Sequence, residues 1–401
     1  MQQLLKRLFL ILGILILTAL LITFPKDALQ ASLRGITIWS EVVFPALLPF
    51  FIMAELLISL GAISIIGVLF EPLMRPLFNI PGTGSLALIM GLTSGYPTGA
   101  KITAKLREEG KLSREEAERL VSFTNASSPL FIFGAIAVGF FHDAKIGLLI
   151  AICHYGGNIL LGIILRFLYK DPILHVRQAR TEKNTYIKQI VHELQMFKES
   201  KVKPIGEQLG SAVYNSVQTL IIIGGFITLF SVVTSLLLKT KLLLLGSKIF
   251  ELGLSMTNFP DVLSLPILTG LFEISIGVEF IAQYKEIGLL YPLMAVSFLL
   301  GFNGLSIQAQ VASIVAHTDI RFMRYFYARL IHGGISCILT FFLYNAFFKY
   351  KDYIPTLLPS SGAENSFDYI YPFSGELGVV LTIISICMAI IYKMRRVTVE
   401  K

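Results

Sequence analysis

Apolar residues along this chain gather into runs of membrane-crossing length, and several of those runs are interrupted in the middle. The hydrocarbon core of a bilayer needs about 20 consecutive apolar helical residues. Leu8 to Phe24 forms a nearly unbroken run behind Lys6 and Arg7, with no small-residue cleavage pattern before Pro25, so it reads as an uncleaved first anchor. Leu47 to Leu69 is apolar but carries Glu55 and a glycine at 61. Ser85 to Ala104 is broken by GLTSGYPTGAK, and Val121 to Phe141 by TNASSP. Ile146 to Tyr169 is then a plain span apart from His154, the pair Gly156/Gly157 and Arg166.

A similar series follows a polar stretch. Ile205 to Leu238 is long enough to cross with tilt, whereas Leu242 to Leu254 is too short to span alone. Leu263 to Ala282 is broken around GLFEISIG, and Leu289 to Ala316 by GFNGLSIQAQ. Met323 to Phe348 is plain apart from Arg329, His332 and the pair Gly333/Gly334. Gly91 and Leu92 match Gly270 and Leu271, Phe123 matches Phe302, and Ser127 matches Ser306 at one common offset. His154 and Gly156 meet His332 and Gly334 one residue away from it. This is an internal duplication, and interrupted spans at corresponding places in two halves point to a transporter with its site at the midplane. An odd number of crossings between the copies makes the repeats inverted, the reading favoured here.

Composition makes the membrane assignment firm and excludes other classes. The chain is 54% hydrophobic and 15% charged, with a mean hydropathy of +0.72. Its net charge of +8 does not point to nucleic acid, because the basic residues lie in loops. They cluster at Lys6/Arg7, along 170–203, and at Lys393, Arg395, Arg396 and Lys401, which places these regions and both termini in the cytoplasm. The expected organisation is an anchor helix and amphipathic segment over 1–43, a first repeat over 44–169, a basic cytoplasmic loop over 170–204 and a second repeat over 205–350. An extracytoplasmic loop over 351–374 and a last helix with its tail over 375–401, crossing from Gly375 to Tyr392, complete it. Cys153, Cys337 and Cys387 lie singly in apolar segments, so neither a disulfide framework nor a metal site is expected.

Unpaired backbone groups in hydrocarbon cost several kcal/mol each, so a Gly- and Pro-rich turn at membrane depth needs protein or a water-filled cavity around it. A re-entrant hairpin with its tip at Ser94, Gly95, Tyr96, Pro97, Thr98 and Gly99 would end one half-helix and start another, whose free N–H groups suit an anion. Lys101 falls in the first turn of that second half-helix and could pair with a substrate carboxylate, or snorkel toward the charged stretch from Lys105 to Arg119. Thr124, Asn125, Ser127 and Ser128 read as an unwound segment facing the same site, with interhelical hydrogen bonding as the ordinary alternative. Asn303, Ser306, Gln308 and Gln310 play the corresponding part in the second half. Glu273, with Ser275 beside it, is an intramembrane carboxylate placed to bind a cation or proton or to pair with Lys101. Glu55, His154 and His332 read more simply as packing or pairing residues. The substrate-binding set is therefore Ser94, Gly95, Tyr96, Thr98, Gly99, Lys101, Thr124, Asn125, Ser127, Ser128, Glu273, Ser275, Asn303, Ser306 and Gln308.

Catalytic motifs are missing. His192-Glu193 continues as Leu-Gln-Met rather than HExxH, and there is no GxSxG elbow and no Walker A loop. An intramembrane enzyme or a non-transporting scaffold is the competing class; a scaffold would not need polar breaks at the midplane.

GLTSGYPTGAK together with FTNASSPLFIFG, GLFEISIG and GFNGLSIQAQ resembles the Gate, or nucleoside-recognition, family of bacterial membrane proteins, and within it the sporulation integral membrane branch, over roughly residues 40 to 350. The wider family is similar in architecture to concentrative nucleoside transporters. The resemblance implies an all-α polytopic protein with two repeats, each with a re-entrant hairpin and a broken helix. It implies no enzymatic activity, no cofactor beyond a coupling proton or sodium ion left open, and membrane lipid and a small organic anion as partners, with a homo-oligomer also open. The branch is implied to export dipicolinic acid from the mother cell across the outer forespore membrane; nucleosides or another small solute are the alternative cargo.

Overall fold

The computed structural model describes residues 2–60, 62–168, 204–256, 259–284 and 286–349, all of them helix or connecting turn. The basic loop, the loop over 351–374 and the last helix expected from Gly375 to Tyr392 lie outside the described residues. Two compact units divide the chain, Met1–Thr340 and Phe341–Lys401. In the second, Phe341 and Phe342 make an edge-to-face ring pair, and Tyr344 stacks on Phe348.

The first unit opens with α1 (Gln2–Thr23), followed by α2 (Pro25–Thr37). Pro25 occupies the first turn of α2, where its missing N–H costs nothing, and the two helices bend by 103°. α1 lines its outer surface with Leu8, Ile11, Leu12, Ile14, Leu15 and Ile22, all exposed as a lipid-facing helix should be. α2 is amphipathic and buries Ala28, Ala31 and Gly35 against α9 (Ile205–Lys239). At Gly35 a Cβ would lie 2.7 Å from the Thr228 Cα, so the two backbones cross where only glycine fits. Ser231 Oγ donates to the Ala31 carbonyl there at 2.8 Å.

A π-helical stretch (Ile38–Val43) carries Trp39 onto α9, where its Nε1 donates to the Leu220 carbonyl at 2.8 Å. Leu47 and Phe51 of α3 (Phe44–Ser59) close a core cluster with Leu220, Ile223 and Ile227. The apolar run from Leu47 to Leu69 is not one segment. It divides into α3 and α4 (Ala62–Phe78), which pack against each other.

Each half then shows one order of elements. In the first, α5 (Ser85–Ser94) and α6 (Thr98–Glu108) form a hairpin around a cis Tyr96–Pro97 bond. α7 (Arg114–Thr124) begins with a capping box: Ser113 Oγ accepts from Glu116 N–H and Glu116 Oε2 accepts from Ser113 N–H. It unwinds over 125–128, resumes as a π-helical segment (Leu130–Phe140) and is followed by the long α8 (Ala144–Leu168). In the second, after α9 and the short α10 (Leu242–Ser255), a hairpin of α11 (Ser264–Phe272) and α12 (Ile274–Ala282) precedes a helix broken at Asn303 into α13 (Leu290–Phe302) and α14 (Gly304–Val315). α15 (Phe322–Lys349) follows. All four interruptions expected from sequence are helix breaks in the fold.

Among the described residues, four helices are long and apolar enough to cross a membrane: α8, α9, α13 with α14, and α15. The bent pair α1–α2 makes a fifth if counted as one span. α6 packs on α14, and α12 packs on the π-helical segment after the first break, so the hairpin of each half touches the broken helix of the other.

Candidate functional site

The first hairpin is pressed onto the break of its own half. A Cβ at Gly91 would sit 2.0 Å from the Thr124 carbonyl oxygen, and one at Gly99 2.3 Å from the same atom. Gly95 has φ +85° and closes against the Ser128 backbone, so its position demands both a left-handed conformation and the absence of a side chain. Ser94 ends α5 and Thr98 begins α6, each only 1% exposed. Neither hydroxyl has a hydrogen-bond partner among the described residues. Tyr96 is partly exposed.

The unwound stretch is held by α8 and α15. Ser127 N–H donates to His154 Nε2 at 2.9 Å, and Tyr155 Oη donates to the Ser127 carbonyl at 3.0 Å. His332 Nε2 lies 2.9 Å from the His154 carbonyl, with the two rings 5.0 Å apart, so both histidines are fully buried packing and hydrogen-bonding groups. Thr124 turns its hydroxyl back onto the Leu120 carbonyl, and Ser128 Oγ accepts from Phe131 N–H, starting the next helical segment.

The two breaks meet at one tyrosine. Asn125 Nδ2 donates to Tyr325 Oη at 2.7 Å and Asn303 Nδ2 to the same oxygen at 3.0 Å, while Asn303 Nδ2 also reaches the Asn125 carbonyl at 3.4 Å. Asn303 is left-handed, φ +81°, which an asparagine accommodates better than most residues. Its Oδ1 accepts from Arg329 Nη2 at 2.9 Å. Arg329 Nη1 donates to the Ser122 carbonyl and to Asn158 Oδ1, at 3.1 and 3.0 Å. Gln308 folds back to donate to the Phe302 carbonyl at 2.7 Å, and its Oε1 has no partner among the described residues; Asn125 Oδ1 has none either. Ser306 and Gln310 are buried on the same helix.

Buried polar atoms nearly always find partners. Here, among the described residues, Ser94, Tyr96, Thr98, Asn125, Ser127 and Gln308 each leave a side-chain atom unsatisfied on the first hairpin and the two breaks, and His154, Asn158, Arg329 and His332 do so on the helices that hold them. Orphaned hydroxyls at Thr83, Ser85, Ser216 and Thr234 lie elsewhere along the chain.

Two expected members are placed differently from the rest. Lys101 does not pair with Glu273. Its Nζ lies 3.1 Å from Glu55 Oε1 and over the Phe51 ring, and Lys105 Nζ lies 3.0 Å from Glu55 Oε2. α3 thus supplies the anion that a lysine in the first turn of α6 requires. Glu273 is buried and caps α12, accepting from Ile276 N–H at 2.9 Å. Ser275 lies partly exposed in that first turn, and the Gly270–Ile274 stretch abuts Gly304 of the second break.

Sequence reasoning left out Tyr325, Arg329 and Asn158. A signal existed: Arg329 is a cation inside an otherwise plain apolar span, three residues before His332, and Asn158 stands four after His154.

At one end of the first unit, carboxylates tie the halves together outside the apolar spans. Asp319 accepts from Arg107 Nε and Nη2, both at 2.8 Å, and these hydrogen bonds hold its carboxyl below its ordinary value. Burial pushes the Glu118 carboxyl up, but hydrogen bonds from Arg321 and the Arg324 charge outweigh it, and the net direction is down.

An all-helical, multi-pass membrane protein with two hairpins, two broken helices and a buried polar junction between them is the class these features define. A family model described as Gate, nucleoside recognition, matches residues 41–143. The chain is 42% identical over 388 residues to the sporulation integral membrane protein YlbJ of Bacillus subtilis, covering 96% of this chain and 95% of that one. It therefore belongs to this family of sporulation integral membrane proteins. A shorter match, 34% identical over 110 residues, covers 26% of this chain and 23% of the uncharacterized protein BpOF4_10220 of Alkalihalophilus pseudofirmus. No solved structure matches.

Proposed function

We propose that the protein is a non-enzymatic transporter of a small organic anion, with dipicolinic acid as cargo exported from the mother cell across the outer forespore membrane. The observation that carries this reading is the junction at Tyr325. Two helices are broken, their break residues Asn125 and Asn303 share one hydroxyl, and buried polar atoms of Ser94, Tyr96, Thr98, Asn125, Ser127 and Gln308 around them lack partners among the described residues. Irregular backbone at that depth is tolerated around a substrate path. Unsatisfied donors and acceptors are what a polar ligand or water replaces.

The contacts of Gly91, Gly95 and Gly99 are tight, so loading requires the hairpin tip to move off Thr124 and Ser128. Inverted repeats supply such a movement, as one unit rocks against the other. The family relation to a sporulation membrane protein supports the setting, and a planar dicarboxylate suits amides, hydroxyls and a cation.

The test is uptake of dipicolinate into liposomes holding the purified full-length protein, with and without sodium or proton gradients, alongside uridine. Saturable dipicolinate flux above empty liposomes is expected. Uridine flux without dipicolinate flux would transfer the reading to nucleosides, and no flux of either would end it.

A further inference from the structure

Arg329 is fully buried, sits on α15 within a helix able to span the membrane, and forms no ion pair with a carboxylate among the described residues. A guanidinium stays charged in proteins, and a charge taken out of water without a counter-ion is among the costliest arrangements a fold can hold. The other cations near the first hairpin, Lys101 and Lys105, share Glu55. Arg329 instead receives three neutral acceptors: the Ser122 carbonyl and Asn158 Oδ1 on Nη1, and Asn303 Oδ1 on Nη2. Its Nε has no partner among the described residues.

Resting on the transporter reading above, we infer that Arg329 is the cation that recognises a carboxylate of the transported anion. The Nε and Nη2 groups form the edge that a carboxylate grips with two parallel hydrogen bonds. One of these donors is free, and the other is held by Asn303. A substrate carboxylate on that edge displaces Asn303 Oδ1 and takes up the orphaned Nε. Asn303 is the left-handed residue at which the second helix breaks, so loading the site loosens the junction where the two halves meet. Ligand recognition and rearrangement of the break thus pass through one side chain.

Asn158 offers a test that leaves the packing intact. Its Oδ1 accepts from Arg329 while its Nδ2 has no partner among the described residues, so Asn158→Asp gives Arg329 an internal counter-ion and forfeits no hydrogen bond. Binding of dipicolinate, picolinate and neutral picolinamide to the purified full-length protein in nanodiscs is measured by calorimetry, with a melting curve for each variant. Wild type is expected to bind in the order dipicolinate, picolinate, picolinamide. Asn158→Asp and Arg329→Gln are expected to weaken dipicolinate by at least ~10-fold, the equivalent of one lost charge-assisted hydrogen bond. Picolinamide binding stays unchanged, and Asn158→Asp does not lower the melting temperature.

A folded Asn158→Asp protein that binds dipicolinate as wild type does overturns the role of Arg329 and leaves the transporter reading standing. So does wild-type binding of picolinamide as tight as that of picolinate, a result that needs no variant to fold. Wild-type protein that binds none of the three overturns both.

Discussion

The two hairpins occupy equivalent places and differ in chemistry. The tip of the first carries hydroxyls with no partner among the described residues, at Ser94 and Thr98, and leans on the broken helix beside it through Gly91, Gly95 and Gly99. The second satisfies itself. Glu273 caps its own second arm, and the arms close on each other where a Cβ at Gly277 would lie 2.1 Å from the Gly270 Cα. In the proposed reading a shared architecture serves two roles, with binding groups on the first hairpin and rigidity in the second.

The comparison can be broken most forcefully at the glycines. Gly99→Ala drives a methyl into the Thr124 carbonyl, and overpacking of this kind costs about 1–3 kcal/mol. Loss of dipicolinate flux together with a lower melting temperature is expected. Gly277→Ala is expected to lower the melting temperature by splaying the second hairpin, with flux falling only as folded protein is lost.

The hydroxyls sharpen the contrast. Deleting an orphaned buried hydroxyl, or replacing it by a methyl, is neutral to stabilising, so the Ser94→Ala, Thr98→Val double variant should melt no lower than wild type. Its flux is expected to fall by ~10-fold, the equivalent of about 1.4 kcal/mol of lost ligand interaction. In the second hairpin the signs reverse. Glu273→Ala removes a cap worth ~1 kcal/mol, which lowers the melting temperature while flux per folded molecule stays near wild type. Flux and melting curves on the same preparations separate these outcomes.

The smallest effect concerns the clasps at Asp319 and Glu118. Both carboxyls titrate below their ordinary values in the fold, 3.8 and 4.5 respectively. Each therefore contributes stability that is fully present above its unfolded-state value and is lost as pH falls through its folded-state value. Melting temperature should hold from pH 7 to about 5 and decline below that. Asp319→Asn should remove a small part of the decline, since an ion pair this exposed is worth at most ~1 kcal/mol.

Much of the fold was legible because helix breaks are written locally. Gly95 and Pro97 inside an apolar run, or Asn303 and Gly304 in another, interrupt the helix wherever the chain travels. The unlike pairing of charges was not local. Whether Lys101 meets Glu273 or Glu55 depends on α3 folding back onto α6, which no spacing encodes. Asn125, Asn303 and Tyr325 come together from widely separated stretches, so two residues that looked like parallel candidates form one joint with a tyrosine that the spacing did not single out. Arg329 stood out as a charge in a span, but its lack of a carboxylate partner is visible only once its neighbours are placed. Likewise the apolar run from Leu47 to Leu69 gave no periodic hint that it divides into two helices.

The central claim is that the first hairpin and the two breaks enclose a ligand-accessible path, and thiol accessibility tests it most directly. In a cysteine-free background lacking Cys153, Cys337 and Cys387, single Ser94→Cys, Thr98→Cys and Gln308→Cys variants are treated with a small water-soluble thiol reagent, with and without dipicolinate. The account predicts modification at all three positions and protection by dipicolinate, with Ile276→Cys in the second hairpin unmodified. Inert thiols at 94, 98 and 308 in active protein, or modification that dipicolinate leaves unchanged, would contradict it.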